Sequence, residues 1–150
     1  MKYAQGRIGR VFVLRLEEGE KLPDILEDFA KEQGIRNGVV FLLGGADRGS
    51  RLVVGPDESV SDRIVPLVHE MSGITEMVGL GTVFRDETGS PTVHLHMAAG
   101  REGNASVGCS RAGVLVWLVG EVVIIELEGL SALRRRDPRS GLSLLDFTEE

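Results

Sequence analysis

The residues best equipped for chemistry are His94 and His96, in the stretch Thr92-Val93-His94-Leu95-His96-Met97-Ala98. Apolar and polar positions alternate strictly there, which predicts a β-strand. Val93, Leu95 and Met97 would point to one face, and Thr92, His94, His96 and Ala98 to the other. Two strand positions of this spacing have α-carbons about 6.6 Å apart. Both imidazoles can therefore lean onto one ion, which needs nitrogens at about 2.0–2.1 Å if it is zinc.

A third donor follows from counting. Ala99-Gly100-Arg101-Glu102-Gly103-Asn104 is a glycine-rich, polar turn signal, and Ala105-Ser106-Val107-Gly108-Cys109 reads as the returning strand. With the turn centred between Glu102 and Gly103, the residue facing His96 is Cys109. Facing residues of an antiparallel pair bring β-carbons to about 4.5–5.5 Å. The chain's single cysteine thus falls beside two of its three histidines. A slip of one residue would turn Cys109 to the other face. The plainer alternative is a half-buried histidine pair with backbone partners, and a cysteine acting as a small apolar residue. His-x-His with a distant Cys is a weaker metal signature than paired Cys-x-x-Cys.

A chain of 150 residues, 42% hydrophobic and 27% charged, is consistent with one domain, 1–150, with a real core. The net charge of −6 gives no overall field that would draw a phosphate backbone. One cysteine excludes an internal disulfide framework. Met1 to Arg7 has no apolar signal core, and no apolar run approaches the ~20 residues of a membrane span. The expectation is a cytoplasmic protein without membrane contact.

Around the candidate donors, Ile8 to Leu16 predicts a first strand. Leu22, Ile25, Leu26, Phe29 and Ala30 follow the spacing of an amphipathic helix, with Pro23 in its first turn and Gly34 at its end. Val39 to Leu43 is a continuous apolar run, expected as a strand buried on both faces. Gly44-Gly45 reads as a tight turn between strands; a phosphate-cradling loop lacks the Gly-Lys-Ser/Thr that should follow. Arg51 to Val54, Ile64 to His69 (at an edge, because of Pro66) and Gly73 to Phe84 predict further strands, the last pairing with the histidine strand. Val114 to Val119 and Val122 to Ile125, flanking Gly120-Glu121, read as an apolar strand pair. Gly141 to Phe147 gives a last short strand. One helix does not cover both faces of so many strands. Either further helices exist or another subunit does the covering.

Other polar residues have competing readings. Arg15, in a strand interior, is at a sheet edge or lines a pocket or subunit contact. His69 lies outside the candidate cluster. Arg134-Arg135-Arg136 with Arg139 is the only basic cluster. It reads as a solvated turn or subunit salt bridges before it reads as a nucleic-acid contact, because no aromatics interleave it.

The order of these motifs carries a resemblance. It runs through Phe12-Val13-Leu14-Arg15-Leu16, the amphipathic helix, Phe41-Leu42-Leu43-Gly44-Gly45-Ala46, Gly79-Leu80-Gly81-Thr82, His94-Leu95-His96 and Val107-Gly108-Cys109. From about residue 6 to 147 the chain resembles the PPC domain, the "plants and prokaryotes conserved" family also called DUF296. The resemblance implies an α+β fold, mainly an antiparallel β-sheet with few covering helices, assembled as a homotrimer. In prokaryotic members the His-Leu-His strand and a histidine in a Gly-Gly-His pattern look like a zinc site. Here His94 and His96 match, and Cys109 stands in the third position. A thiolate can still bind zinc. Plant members carry a separate AT-hook, absent here, and prokaryotic members are commonly labelled DNA-binding. The functional expectation is a non-enzymatic homotrimer with a divalent-metal site, zinc first, formed by His94, His96 and Cys109, in a DNA-associated or regulatory role. The alternative is a metal-dependent hydrolase or lyase, with Glu76, Glu121 or Arg15 as the supporting residue.

Overall fold

A computed structural model describes residues 1–61 and 63–147. The strands are β1 (Arg7–Glu17), β2 (Lys21–Leu22), β3 (Asn37–Ala46), β4 (Arg51–Pro56), β5 (Pro66–Glu70), β6 (Thr75–Arg85), β7 (Pro91–Arg101), β8 (Asn104–Cys109), β9 (Val114–Glu128), β10 (Ala132–Arg136) and β11 (Ser143–Phe147). One α-helix, α1 (Asp24–Glu32), follows β2, and a short 3-10 turn spans Ser110–Ala112. A nine-stranded sheet runs in the order β1-β9-β3-β6-β7-β8-β4-β5, with β2 also on β9. Its named pairings are all antiparallel, and β10 and β11 form a separate antiparallel hairpin. The architecture is therefore α+β and mainly antiparallel, with one short helix.

The alternating strands put one set of side chains into a single core. Val40 and Leu42 of β3, Val83 of β6, Val93, Leu95 and Met97 of β7, and Val116, Val122 and Ile124 of β9 belong to it. Helix α1 contributes Leu26 and Ala30 to the same core, and both are fully buried. Its Phe29 ring meets the Phe12 ring edge-on at 5.4 Å. Burying a leucine side chain in this way stabilises the fold by about 1.5–3 kcal/mol. Leu22 sits in β2, just ahead of the helix rather than in it, and Pro23 occupies the N-cap.

The structure corrects four readings of the sequence. Strand β3 is buried on one face only: Val40 and Leu42 are inside, whereas Phe41 and Leu43 are 46% and 55% exposed. The continuous apolar run reflects an open sheet face, since α1 is the only α-helix among the described residues. Gly44-Gly45 makes no turn. Both stay within β3, where its register against β9 shifts. Gly44, at φ 145°, lies so close to β9 that a β-carbon would collide with the Val119 carbonyl. The two apolar runs after Gly113 form one strand, β9, of 15 residues. Its irregularity is at Leu118 (φ 61°), so Gly120-Glu121 causes no break. Arg134, Arg135 and Arg136 lie in a strand, β10, and not in a solvated turn.

Candidate metal centre

The β7–β8 hairpin brings the donors together. Arg101 faces Asn104, and the two residues between them, Glu102 and Gly103, have φ of 54° and 80°. Two consecutive left-handed residues make the tight hairpin turn whose twist suits the flanking strands. Pairing then runs back residue by residue until His96 faces Cys109. On its other side Cys109 faces Val53 of β4. Gly108 makes that approach close, because a β-carbon there would lie 2.5 Å from the Val53 carbonyl oxygen.

The Nε2 atoms of His94 and His96 are 3.1 Å apart, and their rings meet nearly edge-on. The donor atoms of His94, His96 and Cys109 all lie within 4.8 Å of one another. Two nitrogens at a tetrahedral zinc ion are separated by about 3.3 Å, so the imidazole pair already has ligand spacing. Imidazole and thiolate are also the donors that a borderline-soft ion selects. The residues present fit such an ion. No other group of three metal-binding side chains occurs among the described residues.

Charge around the triad is positive. Arg134 is 6% exposed and its Nη2 donates to the Thr82 hydroxyl at 2.9 Å. Burial lowers its pKa, and the neighbouring Cys109 opposes that shift. Burial also holds the His94 imidazole below the ordinary histidine range, helped by Arg134, His96 and Arg111. That shift favours the neutral imidazole, the form that ligates. Glu27 comes from α1 and accepts a hydrogen bond from the Val93 backbone N–H at 2.9 Å. Its carboxyl is pushed above the ordinary range, mainly by burial. A cleft of about 550 Å³ opens at this point, with His94, Cys109, Arg111, Arg134 and Glu27 in its wall and Leu142 to Leu144 closing one side.

The remaining candidates are elsewhere. Arg15 faces Glu121 across β1 and β9 and forms an ion pair with Glu17 at 3.0 Å. Glu76 on β6 faces Gly100 of β7, and His69 lies exposed on the edge strand β5. None of these lines the cleft. Arg135 is tied to Glu87 and Asp146 within the chain, and Arg139 to Asp137. Arg111 and Glu27 were neighbours of the triad that sequence reasoning missed, and Arg134 was read as part of a basic cluster rather than as a neighbour of the histidines. No local pattern of residue types linked Arg134, Arg111 or Glu27 to the histidine strand, because they come from segments distant in the chain.

An antiparallel α+β sheet carrying a His-His-Cys donor set on one face defines the class. The chain belongs to the Plants and Prokaryotes Conserved (PCC) domain family, whose model matches residues 3–128. It is similar to the crystal structure of a plant- and prokaryote-conserved protein from Pyrococcus horikoshii, at 25% identity and TM-score 0.83, covering 100% of both chains. It is equally similar to a metal-containing protein from Archaeoglobus fulgidus, at 25% identity and TM-score 0.83, covering 99% of this chain and 100% of that one. A Bacteroides thetaiotaomicron protein provisionally described as DNA-binding shares the fold at 19% identity and TM-score 0.75, covering 95% and 97%. No curated protein matches the chain.

Proposed function

We propose that this protein is a metal-binding, self-assembling domain with a regulatory rather than enzymatic role, in which His94, His96 and Cys109 hold a divalent ion, zinc first. The observation that carries the reading is the pairing of His96 with Cys109, with the two imidazole nitrogens 3.1 Å apart. When bound, the ion would supply Lewis acidity beside the donor set of His94, His96 and Cys109. The metal content of the Archaeoglobus fulgidus relative supports the reading for this chain.

Assembly as a homotrimer is supported by the open sheet face. Val13, Phe41, Leu43, Val78, Leu80 and Val107 are exposed there, a contiguous apolar surface of the kind that marks an interface. A DNA-associated role rests on the label of structural relatives alone. With a net charge of −6 and Arg134 turned to other work, DNA contact would run through a partner. A salt titration of DNA binding tests that: direct contact would give a steep slope of log affinity on log salt.

Elemental analysis of protein purified without added metal, together with thermal melts with and without chelator, tests the metal reading. The expected result is about one zinc per chain and a clear fall in Tm on chelation, since metal affinity adds to folding free energy. Absence of metal with identical melts would end it. A second reading, a metal-dependent hydrolase or lyase, is favoured by the cleft, where Glu27 has the raised pKa of a candidate general base. Turnover of ester, phosphate or amide substrates lost on Glu27→Gln would establish it.

A further inference from the structure

The cleft beside the donor triad holds a guanidinium with unfinished business. Arg134 is more than nine-tenths buried and lines the cleft, yet its Nε has no hydrogen-bond partner among the described residues. Among the described residues only Nη2 is engaged, with Thr82. No ion pair involves Arg134 or Arg111 among the described residues, although both flank His94. Burying a cation without a counter-charge is costly, and buried charges are ordinarily paired.

The chain's own acids do not supply the missing charge. Asp24 on the cleft wall is bound to Lys21 Nζ at 2.9 Å. Glu27 is held by the Val93 N–H. With a divalent ion in place, the Cys109 thiolate would cancel only half of its charge. Glu27 alone would not balance the ion and two guanidiniums together. A planar guanidinium with free N–H groups is the side chain best suited to grip a carboxylate or phosphoryl group. The cleft volume of about 550 Å³ lies within the ordinary range for small-molecule sites. This part of the wall comes from the final hairpin, in which Arg134 lies on β10.

We propose that the cleft binds a small molecule bearing a carboxylate or phosphoryl group, gripped by Arg134 and Arg111 beside the ion held by His94, His96 and Cys109. The proposal rests on the metal reading for its full affinity, and on the arginines for its specificity. The anion would neutralise the buried guanidinium. Such a ligand would join helix α1, the donor hairpin and the β10–β11 hairpin through one group.

Calorimetric titration of inorganic phosphate and, separately, of acetate distinguishes the two oxyanion classes. The titrations use the full chain, zinc-loaded and desalted, and again after chelation. Zinc content is measured in the same samples. The expected result is saturable binding of one probe to zinc-loaded protein, weakened about tenfold or more in Arg111→Gln and Arg134→Gln. Arg111 is exposed, so its variant folds even if Arg134→Gln does not. Arginine-dependent binding to protein that takes up no zinc would leave this site standing and remove the metal reading. Zinc uptake without binding of either probe would overturn this site alone, as would binding that both variants leave unchanged.

Discussion

Leu80 faces His96 across β6 and β7, so the donor triad and the open apolar face of the sheet are one surface. The same cross-strand row continues from Leu80 to Phe41, Val123 and Val13 in one direction, and from His96 to Cys109 in the other. Leu80 is 59% exposed although it sits mid-strand in a central strand. Placing a charge in this row should therefore disrupt assembly and leave the core intact. If the proposed homotrimer forms through this face, Leu80→Glu shifts it to monomer in analytical ultracentrifugation, with its β-sheet circular dichroism retained. A trimer unaffected by Leu80→Glu and Phe41→Glu would exclude this face as the interface.

Removing the sulfur should separate metal binding from folding. Cys109→Ser keeps the size of the side chain and replaces the soft thiolate by a hydroxyl. Zinc affinity is expected to fall by more than about 100-fold, because loss of a direct ligand exceeds the 10–100-fold cost of losing an outer-shell partner. Competition with a chromophoric chelator measures it. The difference in Tm between chelated wild type and chelated Cys109→Ser should be small, because the site adds stability only when loaded.

Gly108 controls the same site through the backbone. A β-carbon there meets the Val53 carbonyl oxygen at 2.5 Å and the Val53 carbonyl carbon at 3.0 Å, both backbone atoms with no rotamer to adjust. Gly108→Ala should push β8 from β4 and move Cys109 with it. The expected cost is about 1–3 kcal/mol in denaturant unfolding. Zinc affinity should fall as well, although no ligand has been changed.

The opposite face of the histidine strand supplies its rigidity. Leu95 lies between the two histidines in sequence and is fully buried in the core. Leu95→Ala is expected to cost about 2–5 kcal/mol, read from urea midpoints at unchanged slope. Leu95→Met, close in volume, should cost less than about 1.5 kcal/mol.

Acid should act through Glu126. Its carboxylate takes two bonds from Arg10, at 2.6 Å from Nε and 3.0 Å from Nη2. The Arg10 hydrogen bond holds its pKa below the ordinary 4.5. A depressed folded-state pKa gives stability that is complete above the unfolded value and is lost as pH falls through the folded one. Wild-type stability should therefore fall more steeply below about pH 4.5 than that of Glu126→Gln, which is already weaker at neutral pH. Melts at pH 7 and across pH 5 to 3 compare the two.

The β7–β8 hairpin was legible because its information is local. Strict alternation placed His94 and His96 on one face, and a Gly-containing turn set the count that opposes His96 to Cys109. The helix was legible for the same reason, from the spacing of Ile25, Leu26, Phe29 and Ala30. Both faces of β3 looked buried, because Phe41 and Leu43 are as apolar as Val40 and Leu42. Composition alone does not say which side meets the core and which side is left for another surface. Gly44-Gly45 read as a turn, although those glycines are needed for close approach to β9, whose position lies some seventy residues away in the chain.

By itself, the sequence determined periodicity and the hairpin register, and hence that His94, His96 and Cys109 lie together, since each depends on steric rules acting over a few residues. Only the tertiary structure decided that the final hairpin folds Arg134 against Thr82 and that α1 sets Glu27 beside Val93. Those contacts join segments dozens of residues apart. Their partners are chosen by how the sheet and the hairpin pack, which no local pattern of residue types encodes.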